Sequence, residues 1–308
     1  MATTLTVSSN YAGKDAGELM GKAFKESPTL AKGLVTVLPD IDFKISVKKI
    51  EYSNGRQDYA CGFNPLGSIT LSEKTLEPKK IKNENEICKE DLRQIWSSAS
   101  MGFSAHNDNP PKDVETALLA NILGDTAEQT EIDIWQGVSA TSGRFGGFIP
   151  LFTADSTVIK AGNGITSANA AVTKSNVITE IEKVLNATPV AIRNKPDLVF
   201  GVSANIALAY TQALVSAGIS NGLGGSDMVL QYGVYKMTVI DGLPDNTFAV
   251  YQKKNLFFGT GLLADHNEIR IKDMDESDLS GQVRYKMVYT AGVQYAYGAE
   301  IVWYLTTT

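Results

Sequence analysis

"VTVLPDIDFKISVKK", residues 35–49, sets apolar Val35, Val37, Ile41, Phe43, Ile45 and Val47 against Asp40, Asp42, Lys44, Ser46 and Lys48. Apolar side chains at every second position line one face of an extended chain. The alternation holds for about twice the length of a typical strand. Asn54-Gly55 follows, a pair suited to the positive φ of a tight hairpin turn. The chain then returns through "YACGFNPLGSITLSEKTLEPKKIKNENEI", residues 59–87. The pattern predicts one long β-ribbon. A two-stranded ribbon is marginal by itself in water, so it must lean on another surface.

Outward from the ribbon, the chain changes style on both sides. Residues 1–33 are small and polar, punctuated by Gly13, Gly17, Gly21 and Pro28, and read as an extended arm with a short helix near residues 17–25. A helical pattern begins at "CKEDLRQIW", residues 88–96. After Pro110-Pro111, the positions Val114, Leu118, Ile122, Gln129, Ile132 and Trp135 mark a helix over residues 113–137. At 1.5 Å per residue it is on the order of 35–40 Å long. A strand is expected near residues 156–160, then a helix with Thr173 as N-cap and Val177, Ile178, Ile181, Val184 and Leu185 on one side.

"DLVFGVS" reads as a buried strand and "ANIALAYTQALVSAG" as a helix stopped by Gly218. "SNGLGGSDM", residues 220–228, is a glycine-rich loop. "YKMTVIDGLPDNTFAVYQKKNLFFGTGL", residues 235–262, is expected to form two strands about a Pro-containing turn, and the Tyr- and Val-rich tail more strand. The whole is a mixed α+β chain, without regular βαβ repetition or internal repeats.

Composition limits the function classes. The chain has 308 residues, 43% hydrophobic and 20% charged, enough for a substantial core. Its net charge of −6 offers no general attraction to nucleic acid or anionic lipid. The strip "EPKKIK", residues 77–82, reads as a solvated strand end. Cys61 and Cys88 lack metal-type spacing and read as reduced thiols of a cytoplasmic product. The N-terminus has no secretory pattern, and no apolar run approaches the ~20 residues that span a membrane.

Recognisable chemistry is absent from the pattern. His106 lies in the turn-rich "SAHNDNPP", and His266 has Asp265 and Glu268 nearby but no second histidine at ligand spacing. "GNGITSAN" and "SNGLGGSDM" lack the spacing of a phosphate loop. "DMDESDLSG", residues 273–281, places its glycine too late for a calcium loop and lacks the closing acid. No Gly-x-Ser-x-Gly elbow or His-Glu-x-x-His is present. No catalytic, cofactor-binding or metal residue is assigned. A patterned ribbon, an arm with little core of its own and no reactive constellation describe a chain built to touch copies of itself.

Taken in order, these segments resemble the major capsid protein of tailed bacteriophages, with the fold named for phage HK-ninety-seven. The resemblance implies an N-terminal arm (1–33), an extended E-loop ribbon (34–88), a peripheral (P) domain with a long spine helix (89–165), an axial (A) domain (166–261) and P-domain return strands (262–308). "EPKKIKNENEICKEDLRQ" and "KKNLFFGTGL" are closest in style to capsid proteins of phages of Bacteroidetes, including crAss-like phages.

The implied function is a shell that self-assembles from pentamers and hexamers around double-stranded DNA, held without sequence-specific contacts. Implied partners are further copies, a separate scaffolding protein, a portal and decoration proteins, with no membrane and no cofactor. The expected location is the virion, assembled in the host cytoplasm. Inter-subunit contacts are expected at Val35, Val37, Ile41, Phe43, Ile45, Val47, Asn54 and Gly55 of the ribbon. A second set, around the symmetry axis, is Asn221, Gly222, Gly224, Gly225 and Asp227. Many relatives begin with a charged scaffolding segment that this sequence does not show. Lys44, Lys48, Lys49 and Lys74 match no crosslinking role, so no crosslink is expected. An encapsulin-type compartment shell, a tail or baseplate component, and a metal-dependent enzyme around His266 are the competing readings.

Overall fold

The computed structural model describes residues 28–53, 55–63, 65–88, 112–161, 171–218, 230–262, 269–274 and 280–304. They divide into two compact units. The larger draws on Ser27–Lys79, Glu131–Thr260 and Ala291–Thr308, the smaller on Lys80–Thr130 and Gly261–Thr290.

The larger unit is organised by a six-stranded sheet. Its strands are β5 (Ile159–Lys160), β6 (Leu198–Val202), β7 (Gln231–Tyr232), β8 (Tyr235–Val239), β9 (Phe248–Gln252) and β13 (Val302–Tyr304), in the order β5-β13-β9-β6-β8-β7. The first four residues of β9, "FAVY", are all buried, as in a strand covered on both faces. Phe248 and Val250 pack in one cluster with Val177, Ile181 and Val184 of α4 (Val177–Ala187), which the short α5 (Val190–Arg193) follows, and with Ile206, Ala209 and Ala213 of α6 (Ala204–Ser216). Tyr251 meets Trp135 from the other side, ring centroids 5.9 Å apart.

The two strands expected over residues 235–262 are β8 and β9, on either side of the Pro-containing connection. β8 and β9 do not pair; β6 lies between them, parallel to β8 and antiparallel to β9. The connection 240–247 is long enough to step across one strand. It passes so close to the long helix that a Cβ on Gly242 would stand 2.4 Å from the Glu131 carbonyl oxygen. The N-cap position is corrected: Asn176 stands there, without a side-chain capping bond. Thr173 lies a turn earlier, its carbonyl accepting the N–H groups of Asn176 and Val177.

The second face of the sheet is aromatic. Trp135, near the end of α2 (Lys112–Gln136), joins Phe148 and Phe152 of α3 (Phe148–Ala154), with Tyr251, Tyr295 and Trp303 completing the group. Each such ring pair contributes about 0.5–1.5 kcal/mol beyond burial. One short helix is pinned here: in α1 (Pro28–Ala31), Thr29 donates through Oγ1 to Glu131 at 2.5 Å and accepts Trp135 Nε1–H at 2.9 Å. All three side chains are buried, so none of these partners has water as an alternative.

The opening stretch is not one strand but two. β1 (Thr36–Leu38) lies in the body, parallel to β10 (Leu256–Gly259), which pairs antiparallel with Gly292–Tyr295 of β12 (Gln282–Tyr295). Pro39 and Asp40, at φ +61°, break the run, because proline donates no ladder bond and a positive φ leaves the extended region. β2 (Ile45–Tyr52) then pairs with β3 (Ile69–Leu76). In the smaller unit, β12 also pairs with β4 (Lys79–Cys88) and with β11 (Ile269–Asp273). Ile81 and Met287 are buried on one side of that sheet, where Asn83 reaches Thr126 of α2.

Thr29→Val keeps the shape of the α1 anchor but removes both Oγ1 hydrogen bonds. A buried carboxylate and an indole N–H then lose a partner, at about 1–3 kcal/mol. Urea unfolding of the variant is expected to shift its midpoint down by that free energy divided by the slope, with the slope itself unchanged. An unchanged midpoint would show that the network is not an anchor.

Candidate assembly surface on the β2–β3 ribbon

β2 and β3 pair in a single register, Ile45 opposite Leu76 through Tyr52 opposite Ile69. Side chains alternate between faces, so this register decides which residues the ribbon shows. One face carries Ile45, Val47, Lys49, Leu76 and Lys74. Val47 and Leu76 are buried there with Ile41 and Ala296, beside Leu38, Phe257 and Tyr297. The fit is tight: a Cβ on Gly259 of β10 would stand 2.6 Å from Leu76 Cδ2 and 2.7 Å from Ile41 Cδ1.

The opposite face carries Lys48, Glu73 and then Ile50, Tyr52, Ile69 and Leu71 as two adjacent cross-strand pairs. All four apolar side chains are exposed, by 61–72%. Beyond them the chain runs through residues 53–68, closed at its neck by Ser53 N–H on the Ser68 carbonyl at 2.9 Å and Ser68 N–H on Ser53 Oγ at 2.6 Å. Asn54 lies outside the described residues. Gly55 is part of this long loop rather than of a two-residue turn; its N–H donates to Tyr52 Oη, and a Cβ there would stand 2.4 Å from the Leu66 carbonyl oxygen. Tyr59 and Phe63 are 95% and 96% exposed. Contiguous exposed apolar surface of this kind marks an interaction site on a folded protein.

The base of the ribbon is fixed by polar contacts. Lys74 Nζ lies 3.0 Å from Asp155 Oδ2 and 3.5 Å from the centre of the Tyr295 ring. Tyr295 Oη donates to the same carboxylate at 2.6 Å, and Thr157 adds its N–H and hydroxyl at 2.8 and 2.7 Å. Burial pushes the Asp155 carboxyl up, but the bonds from Tyr295, Thr157 and Lys74 outweigh it and hold the group well below the usual carboxylate range. Tyr297 Oη accepts the Ile50 N–H at 3.1 Å and donates to the Ile50 carbonyl at 3.0 Å, which satisfies one edge of β2. Gln294 donates to the Thr75 carbonyl at 2.8 Å.

The structure therefore splits the contact residues expected from sequence. Val35, Ile41 and Val47 are buried within the chain, Val37 is half-buried in β1, and only Phe43 and Ile45 are exposed. Asn221, Gly222, Gly224, Gly225 and Asp227 lie outside the described residues, as do His106, Asp265, His266 and Glu268. Sequence reading missed Ile50, Tyr52, Ile69 and Leu71. The signal was Lys48-Lys49, a doubled polar residue that moves the apolar phase from odd positions (Ile45, Val47) to even ones (Ile50, Tyr52). Among the described residues no cluster of His, Cys, Asp and Glu could hold a metal, and no helix is long and apolar enough to cross a membrane. Cys61 is exposed and Cys88 half-buried, both as free thiols.

No family model matches the sequence. No curated protein matches it either. The fold does match solved structures. It is similar to the capsid of the cyanophage P-SCSP1u at 14% identity and a TM-score of 0.61, covering 99% of this chain and 96% of that one. The capsid of a native GTA particle matches at 14% and 0.61 (95% and 94% covered), and that of Myoviridae phage XM1 at 11% and 0.58 (98% and 100% covered). The chain has the tailed-phage major capsid fold, a mixed α+β architecture matched over its full length.

Asp155→Asn tests the ribbon base through pH. Because the folded carboxyl is held below its unfolded value of about 3.9, its contribution is full above that value and is lost as pH falls toward the folded one. The stability difference between wild type and variant is expected to be largest near neutral pH and to shrink between about pH 4 and pH 2 in urea melts. A difference that does not change with pH would remove Asp155 from the anchor.

Proposed function

We propose that this chain is the major capsid protein of a tailed phage, assembling as pentamers and hexamers into an icosahedral shell around double-stranded DNA. The observation that carries this reading is the exposed apolar row Ile50, Tyr52, Ile69 and Leu71, with Tyr59 and Phe63 exposed in the loop beyond it, on a chain with a capsid fold. In this reading the ribbon β2–β3 is the E-loop, α2 is the spine helix, and the six-stranded sheet with α4 and α6 is the core of the A domain. The row is covered by a neighbouring subunit. Burying on the order of 300 Å² of apolar surface at ~25 cal/mol per Å² supplies roughly 7 kcal/mol per contact, from which the cost of association is subtracted. A closed shell repeats the contact in every subunit.

The solved neighbours are phage and GTA capsids, which supports a phage shell over an encapsulin-type compartment. The sequence style points further, to phages of Bacteroidetes including crAss-like phages. A separate scaffolding protein, a portal and decoration proteins complete the assembly in the host cytoplasm, and the shell has no enzymatic role.

Size-exclusion chromatography followed by negative-stain electron microscopy tests the reading. Wild type, alone or co-expressed with its scaffold, is expected to give closed shells or free five- and six-membered rings. Ile50→Asp with Leu71→Asp is expected to keep the far-UV spectrum and melting temperature while losing assembly. Wild-type protein that stays monomeric with its scaffold, or a variant that assembles normally, would overturn the proposal.

A further inference from the structure

A strand shows its side chains on two faces and its backbone groups on two edges. In the β2–β3 ribbon, the Ser53 N–H on the Ser68 carbonyl marks that pair as hydrogen-bonded. Down the ladder, Glu51, Lys49, Val47 and Ile45 then bond to Thr70, Ser72, Lys74 and Leu76, and the residues between them point their N–H and C=O groups outward. Tyr297 on both backbone groups of Ile50, and Gln294 on the Thr75 carbonyl, fit this parity. The outward residues of β3 are therefore Ile69, Leu71, Glu73 and Thr75. Gln294 takes the Thr75 carbonyl, while among the described residues nothing bonds to the outward groups of Ile69, Leu71 and Glu73.

This edge is unguarded. Folded proteins blunt an exposed edge with proline, a bulge or a covering element, and Ile69–Glu73 has no proline and an unbroken register. Ile69 and Leu71 are also the β3 half of the apolar row, 69% and 72% exposed. A strand laid along β3 would gain backbone bonds and apolar cover at once. It would also change the standing of the ribbon, because two strands are marginal in water and three with an apolar face are not.

We propose that the β3 edge takes residues 3–8 of a second copy of the chain as a third, antiparallel strand. The inference rests on the shell reading and names the segment of a neighbour that covers part of the row. "TTLTVSS", residues 3–9, alternates Leu5 and Val7 with Thr4, Thr6 and Ser8, and no charged side chain stands before Lys14. Threonine and valine at period two suit a strand. The segment lies outside the described residues, on the stretch that leads to Pro28. From Thr29, pinned by Glu131 and Trp135, residues 9–27 span up to about 60 Å when extended, enough to cross onto a neighbour. Directly opposed residues share a face of a sheet, so Leu5 opposite Leu71 and Val7 opposite Ile69 extend the apolar row. In that register the N–H groups of Leu5 and Val7 face β3, and those of Thr4 and Thr6 face away. Residues 98–106 also alternate, but in Ala, Ser and Gly around Met101 and Phe103, a composition that suits a strand less.

The test is amide exchange, read residue by residue on the unassembled full-length chain, with and without excess peptide of residues 2–10. The peptide is expected to slow the Leu71 and Glu73 amides at least about tenfold, or ~1.4 kcal/mol of added protection. A peptide N-methylated at Thr6, whose N–H faces away, is expected to protect as well. One N-methylated at Val7 keeps every side chain but loses a donor to β3, and is expected not to protect. The copy that supplies the strand is then read in particles assembled from a mixture of light and heavy-nitrogen chains. A photocrosslinker in place of Ser9 is expected to label residues 66–70 across isotopes. No slowing at Leu71 and Glu73, the same result from both methylated peptides, or crosslinks confined to one isotope would overturn the proposal. So would stronger protection by a peptide of residues 98–106. Slowing by the peptide in a chain that never assembles would uphold the pairing and count against the shell reading; particles whose Leu71 and Glu73 amides exchange freely would do the reverse.

Discussion

A two-stranded ribbon has two faces, and here the body of the chain covers only one. Val47 and Leu76 are sealed against Ile41 and Ala296, Lys74 is locked to Asp155 and Tyr295, and Tyr297 closes the edge of β2 at Ile50. These contacts hold the ribbon at its base and leave Ile50, Tyr52, Ile69 and Leu71 turned to water. Removing that surface from water is favourable, and nothing within the described residues does so. The architecture has a consequence for dynamics as well. A ribbon fixed at one end and held by its own ladder at the other presents its apolar row in one orientation, which lowers the ordering cost of a partner's docking.

The larger unit supplies the rigidity that this arrangement needs. β9 is buried on both faces, with α4 and α6 on one and an aromatic group around Trp135 on the other. The base of the ribbon is bound to the same structure: Tyr295 contributes its ring to that group and its hydroxyl to Asp155. One residue thus links the core of the unit to the pose of the ribbon, so the packing of the sheet and the placement of the exposed apolar row are coupled.

Most elements were legible in the sequence because period and punctuation agreed. The long helix, the strand "LVFGV" and the helix that Gly218 ends, at φ +72°, all follow from local pattern. What local pattern could not carry was pairing. Strands β8 and β9 are legible as two strands about a turn, but no local signal says that β6 lies between them, parallel to one and antiparallel to the other. The run from Val35 to Lys49 read as one strand because alternation survives Pro39-Asp40 even though the chain direction does not. The exposed row on β2 and β3 was not read from the sequence for a related reason. Alternation shows that a strand has an apolar row, but which row is covered depends on what the base of the ribbon packs against.

Hydroxyl-radical footprinting of the assembled and dissociated protein, read residue by residue by mass spectrometry, tests the central claim most directly. The account predicts that Tyr52, Tyr59, Phe63 and Leu71 lose most of their modification on assembly, while Tyr251, already buried, reads the same in both states. Assembled particles in which the ribbon row is modified as freely as in the dissociated chain would contradict it.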